Sequence, residues 1–226
     1  MKDLWTAVDR YFEGVLFPDD PVLTQVLAAC GDAGLPPIQI SPGQGMLLFL
    51  LARIQGASKI LEFGTLGGYS GIWLARALGN GGQLVTLEAD PQHARVAASN
   101  FERAGLSGVV DLRVGPALKT LSGLREEGCG PFDFFFIDAD KKNIPHYLAW
   151  SLKLARPGSV IVVDNIVQGG AVIEKDKGDE GIQGVRRMFE MISEDPGLAA
   201  TAIQTVGRKG YDGFLVALVE EEHVVV

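Results

Sequence analysis

The sequence predicts an α/β fold, a doubly wound and mostly parallel seven-stranded sheet that ends in an antiparallel hairpin strand. Three observations predict it. Five apolar runs ending in Gly, Asp or Glu alternate with amphipathic stretches of helical length, the pattern of parallel strands covered by helices. The last part, ATAIQTVGRKGYDGFLVALVE, holds two alternating runs around a Gly-bearing turn, which marks a hairpin instead of another strand-helix-strand unit. No repeat or low-complexity linker divides the chain, and 226 residues suit a single domain, 1–226, with its own core.

Taken in order, residues 1–50 read as helical pieces broken at Pro18, Pro21, Pro36 and Pro37, a cap over the sheet or a substrate mouth. The α/β core, 58–226, begins with KILEFG as its first strand, and a helix over Ser70–Leu78 follows. QLVTLEAD is the second strand, followed by a helix from Pro91 to Ala104, and VVDLRVG is the third. No element is assigned between it and FDFFFID, the fourth strand. A helix from Ile144 to Leu154 leads to SVIVVD, the fifth, and Gly181–Ser193 is a further helix before the hairpin.

Charge and composition narrow the function. A formal net charge of −8 supplies no cluster of Lys and Arg for phosphate neutralisation, so nucleic-acid binding is not expected and a small-molecule partner is. Acids interrupt MKDLWTAVDRYFEGVLFPDD, and no window holds the ~18 apolar residues of a membrane span. Cys30 and Cys129 form no CxxC pair and read as unpaired thiols of a reducing cytoplasm.

Chemistry concentrates at strand ends. In EFGTLGGYS a strand ends at Glu62, and Gly64, Gly67 and Gly68 let the backbone approach a ligand before a helix begins near Ser70. The same glycines would serve a tight turn with no ligand. Glu88 ends the second strand about twenty residues on, where an acid accepts ribose hydroxyls in doubly wound folds, although a solvated strand-end acid looks the same. The spacing is not G-x-G-x-x-G, which counts against a diphosphate ligand, and Glu62 suits a ligand with a cationic amino group.

IDADKK and VVDNIVQGG end the fourth and fifth strands and leave Asp138, Asp164 and Asn165 at one sheet edge. On neighbouring strands ~4.8 Å apart, the two carboxylates would repel unless a cation lay between them, and hard oxygen ligands suit Mg²⁺. The alternative is three residues that merely cap loops. Lys141 can reach the same edge as a general base, though Lys142 beside it shows how common surface lysines are. His93, His146 and His223 read as surface or packing residues, and Trp5, Trp73 and Trp150 as core.

With these residues in place the chain resembles the cation-dependent class I O-methyltransferases, the group that holds catechol and caffeoyl-coenzyme A O-methyltransferases and bacterial relatives. The resemblance runs through IQISPGQGMLL, EFGTLGGYS, LVTLEAD, VGPA, IDADK, VVDN and KGYDGFLVAL, nearly the whole chain. It implies a Rossmann-like fold, S-adenosylmethionine as methyl donor, a divalent cation, a homodimer and a small phenolic acceptor. It also implies that Ile40, Glu62, Gly64, Thr65 and Ser70 surround the cofactor's methionine part, that Glu88 takes the ribose, and that Ala117 lies by the adenine. Asp138, Asp164 and Asn165 become metal ligands, Asp138 also lies near the substrate, Asp140 near the cofactor, and Lys141 stands at the catalytic lysine's place. One departure is Gln168 and Gly169, where plant-type relatives carry Trp and Asn, which counts against a bulky acyl-thioester acceptor. A nicotinamide-dependent oxidoreductase and a non-catalytic binder of the same cofactor are the competing readings.

Overall fold

The computed structural model describes residues 1–174 and 178–221. Helices α1 (Lys2–Leu16), α2 (Pro21–Asp32) and α3 (Pro42–Gln55) precede β1 (Lys59–Phe63), α4 (Tyr69–Ala77), β2 (Gln83–Glu88), α5 (Pro91–Arg103) and β3 (Val110–Val114). Then come α6 (Ala117–Glu126), β4 (Phe134–Ile137), α7 (Ile144–Leu154), β5 (Val160–Asp164), α8 (Glu180–Glu194), β6 (Leu198–Gly207) and β7 (Gly210–Val219). Short 3₁₀ turns occupy Lys141–Asn143 and Gln168–Ile173.

The seven strands form one sheet of order β3-β2-β1-β4-β5-β7-β6. The first five pair in parallel, whereas β7 runs antiparallel to both β5 and β6, as the hairpin signature predicts. The chain winds outward from β1 in one direction and from β4 in the other. That reversal opens a crevice at the carboxyl ends of β1 and β4, where open α/β sheets bind ligands.

Both sheet faces are covered, so the strands read as continuous apolar runs. Ile60, Leu84, Phe134, Phe136 and Val162 face a core shared with α2 to α5, and Leu61, Val85, Phe135, Ile161 and Val163 face one shared with α6 to α8. Helix α6 is the element the sequence did not announce. Thr120, Ser122 and Gly123 lower its helix propensity, and burial of Leu121 and Leu124 against the sheet outweighs them. Helix α4 starts and ends one residue before its expected position.

Three prolines, Pro21, Pro42 and Pro91, begin helices. Pro21 and Pro42 open α2 and α3, where a missing N–H costs nothing, and Asp20 and Ser41 cap the freed amides; Ser41 and Gln44 form a reciprocal capping box. Helices α2 and α3 pack on α4 and α5 over one face of the sheet. Helix α1 instead lies along β6, buries no residue fully, and leaves Leu4, Tyr11, Phe12, Val15 and Leu16 exposed. The hairpin turn is tied to it: Arg208 donates to both Glu13 oxygens at 3.0 Å, and its backbone N–H reaches Asp9 at 2.7 Å.

At the far end of the sheet Asp133 is 3% exposed and joins three strand entries. It accepts from the Ser58 and Lys59 amides, the Ser58 hydroxyl and Arg156 at 2.8–2.9 Å. Trp73 is buried, Trp5 and Trp150 are only partly so, and His146 is exposed. His223 and Glu222 lie outside the described residues. Among those residues no helix is long and apolar enough to cross a membrane.

Candidate active site

The crevice is built on a close backbone approach. Gly64 turns out of β1 at φ +93°, and a Cβ there would strike the Asp138 carbonyl oxygen at the end of β4. Only glycine satisfies both demands. Gly67 likewise leaves room for the Cys30 thiol of α2, so the loop is packed from both sides.

Beneath the loop a buried polar chain fixes its shape. Thr86 of β2 donates to Glu62 at 2.6 Å, and its hydroxyl lies 2.6 Å from that of Thr65. Glu62 is fully buried, and its second oxygen, Oε1, has no hydrogen-bond partner. Burial, aided by the charges of Asp138 and Glu88 against hydrogen bonds from Ser70 and Thr86, pushes its pKa up to about 7. Glu88 holds the loop from the other strand. One carboxylate oxygen accepts the Leu66 amide at 2.8 Å, the other the Asp90 amide at 2.8 Å, and Leu66 is thereby held at φ +49°.

Above the loop opens a cavity of about 710 Å³. Ile40, Gly64, Thr65, Ser70, Glu88, Ala117, Asp138 and Asp140 all line it. Glu62 does not; it stands behind the wall. Lys141 and Asn165 also reach the cavity, and so do His93, Tyr69 and Tyr147, which the sequence reading had not singled out for it. Asp140 is engaged locally, accepting from Tyr147 and Asn143.

The strand-end acids converge as the β4–β5 pairing requires. Asp164 is 4% exposed; burial, reinforced by the charge of Asp138, pushes its pKa up to about 7. Its donors are the Asn165 amide at 2.8 Å and Gln44 at 3.4 Å. Asn165 itself sits at φ +58°, an uncommon conformation for a residue other than glycine. Lys141 donates to Asp138 at 2.9 Å, while Lys142 points to the exposed Glu180 at 3.7 Å, so only the first lysine faces the crevice. Its backbone is clamped by α8, where a Cβ on Gly184 would strike the Lys141 carbonyl oxygen. Among the described residues no cluster of three or more His, Cys, Asp or Glu could hold a metal. The donor set here is two carboxylates and an amide.

Three further residues shape the site. Thr86 was legible as a hydroxyl inside an apolar strand, a group that needs a partner once buried. Gln44 and Lys209 carried no such signal, because both depend on long-range packing. Pairing of Asp164 with Phe214 places the β6–β7 turn beyond the end of β5. There Lys209 joins Ile38, Ile40, Gln44, Asp164 and Asn165 around a second cavity of about 330 Å³.

Known proteins share this architecture. A family model described as O-methyltransferase matches residues 16–216. A catechol O-methyltransferase of Mycobacterium tuberculosis is 51% identical over 212 residues, 94% of each chain. The O-methyltransferase of Bacillus cereus, solved in complex with SAH, superposes with a TM-score of 0.96 at 54% identity, covering 97% of this chain and 100% of that one. The O-methyltransferase TomG of Streptomyces achromogenes, involved in tomaymycin synthesis and solved with SAM, gives 0.94 at 50% identity over 97% and 98%. A family match that spans the glycine loop, both strand-end acids and most of the closing hairpin leaves one conclusion: the chain belongs to the O-methyltransferase family.

Proposed function

We propose that the protein transfers a methyl group from S-adenosylmethionine to one hydroxyl of a small catechol-like phenol, with a divalent cation, Mg²⁺, at the strand-end acids. The observation that carries this reading is the pairing of Asp138 with the buried Asp164 beside the glycine-loop cavity. Burial, and then the charge of Asp138, raise the pKa of Asp164; two carboxylates so placed call for a cation, and hard oxygen donors favour Mg²⁺ over softer metals.

The cofactor's fit is supported independently. The Glu62 carboxyl stands just behind the loop that lines the cavity, where its negative charge would favour a cationic amino group set against that loop. Glu88 still has lone pairs for ribose hydroxyls beyond the two amides it accepts. Ile40, Gly64, Thr65 and Ser70 would contact the methionine part, and Ala117 and Asp140 line the same cavity. Asp138, Asp164 and Asn165 would hold the cation.

When bound, these groups supply an electrophilic methyl and a Lewis acid that lowers the acceptor's pKa. The residues do the rest. Asp138 holds the Lys141 side chain at the crevice, where Lys141, once it has given a proton to solvent and stands as the neutral amine, would take the proton of the acceptor hydroxyl as general base. Ile40, buried between the two cavities, excludes water from the line of transfer. Positioning therefore supplies most of the rate, and no covalent enzyme intermediate is needed.

The same reading takes the chain as one domain and a homodimer in the cytoplasm. The exposed apolar stripe of α1 and the open outer strand β6 support the dimer, and the two free thiols support a reducing compartment. The test is exhaustive chelation, readdition of Mg²⁺, and Asp164→Ala, with a catechol and its monohydroxy analogue as acceptors. Turnover should vanish on chelation, return with Mg²⁺, and fall by orders of magnitude without the second hydroxyl, while Asp164→Ala keeps its cofactor affinity. Full turnover in protein shown to be metal-free would overturn the cation; equal kcat/KM for the two acceptors would overturn the catechol preference.

A further inference from the structure

We propose that Lys209 recognises an anionic substituent on the acceptor, so that catechols bearing a carboxylate on the ring's far side are preferred over neutral or cationic ones. This rests on the reading of the reaction above and names its substrate class. The second cavity is where an acceptor held at Asp164 and Asn165 must place the rest of its ring, since both residues line it. Ile38, Ile40, Leu47 and Phe214 give it apolar walls, and the hairpin turn closes its far side.

Two cations stand on that turn, and they differ. Arg208 is neutralised by Glu13, to which it donates twice. Lys209 donates only to the backbone carbonyl of Pro37, at 3.2 Å, and among the described residues it has no carboxylate within ion-pair distance. The neighbouring acids are already committed: Asp138 and Asp164, whose charges reach Lys209 from beyond ion-pair distance, belong to the proposed cation site. Asp9 accepts the Arg208 amide, and one oxygen of Asp212 accepts the amides of Val167, Gln168 and Gly213. Among the described residues on the cavity rim Lys209 is thus the one cation without a carboxylate partner, and three donors on an ammonium leave at least two for a ligand.

An exposed lysine gains little from an ion pair in open water. A ring seated between the apolar walls displaces that water, and the pair then forms in a lower dielectric, where a charge-assisted hydrogen bond strengthens. A single point charge suits a monoanion such as a carboxylate. An amine at the same place would meet Lys209 as a like charge.

The experiment compares three acceptors of equal ring chemistry, each with vicinal hydroxyls: dihydroxyphenylacetate, dihydroxyphenylethanol and dihydroxyphenylethylamine. In each a methylene insulates the ring from the charge. The wild type should favour the acid over the alcohol by about tenfold in kcat/KM, with the amine last. Lys209→Met should bring the acid-to-alcohol ratio close to one, Lys209→Arg should keep it, and Lys209→Glu should invert it. Because each value is a ratio within one variant, a general loss of activity cancels.

Calorimetry of the same acceptors on protein loaded with S-adenosylhomocysteine and Mg²⁺ supplies a readout without turnover. Equal kcat/KM and equal affinity for acid and alcohol in the wild type would overturn the proposal while leaving the methyl-transfer reading intact. Absence of turnover with all three would overturn that reading, and the calorimetric order would still decide the role of Lys209.

Discussion

Glu62→Gln should change how stability depends on pH more than stability itself. Glu62 is fully buried, and its pKa stands at about 7 against the usual 4.5. Below pH 4.5 the carboxyl is protonated in both folded and unfolded chains and contributes no pH dependence. Between 4.5 and 7 the unfolded chain gives up its proton and the native one keeps it, so stability falls as pH rises. Each pH step of one is equivalent to about 1.4 kcal/mol, so the loss approaches about 3 kcal/mol near pH 7 and then levels off. Glutamine keeps the acceptor for Thr86 and cannot ionise, so the variant lacks this slope. Urea denaturation of both cofactor-free proteins at pH steps from 4.5 to 8 measures it. The difference between the two curves should shift toward the variant by about 3 kcal/mol across that window. Parallel curves would show that Glu62 ionises normally in the native protein and refute the argument from burial.

Three other substitutions probe the scaffold. Glu88→Ala removes the acceptor for the Leu66 and Asp90 amides and the proposed acceptor for the ribose, and calorimetry should show S-adenosylmethionine binding weakened by roughly 1.5–3 kcal/mol; an unchanged dissociation constant would show that neither the ribose nor the loop's cofactor contacts depend on Glu88. Gly184→Ala forces α8 away from the Lys141 carbonyl, so kcat should fall at least tenfold with cofactor affinity nearly unchanged, and a wild-type kcat would show that the clamp has no bearing on Lys141. Asp133→Ala leaves the Ser58 and Lys59 amides without their acceptor and should lower stability by roughly 3 kcal/mol in urea denaturation while kcat holds; a change under 1 kcal/mol would contradict the assignment.

The sheet was legible because covered parallel strands must be mostly apolar: FFFI is apolar throughout, and KILEF and VIVVD are interrupted only by Lys59, Glu62 and Asp164. Asp138, Asp164 and Glu88 were legible as acids at strand ends, since all parallel strands end on one side. Other features were not. Helix α6 is stabilised by the sheet it packs on more than by its own residues. Glu62 could be placed at the loop, yet nothing local said that it would stand behind the wall beside Thr86. Gln44 and Lys209 reach the site through α3 and the hairpin turn, contacts of more than forty residues' separation that no spacing records.

The bond between Arg208 and α1 joins one of the chain's earliest segments to one of its latest, at the rim where an acceptor would enter. The wall of that entrance is therefore partly made by residues that touch neither loop nor acids. Fusions, trimming or drift at the amino terminus would be felt first by whatever molecule is being admitted, and scarcely by the donor's half of the crevice. Libraries randomised in α1 and the hairpin turn are then a route to new acceptors that leaves the methyl-donor machinery as it is.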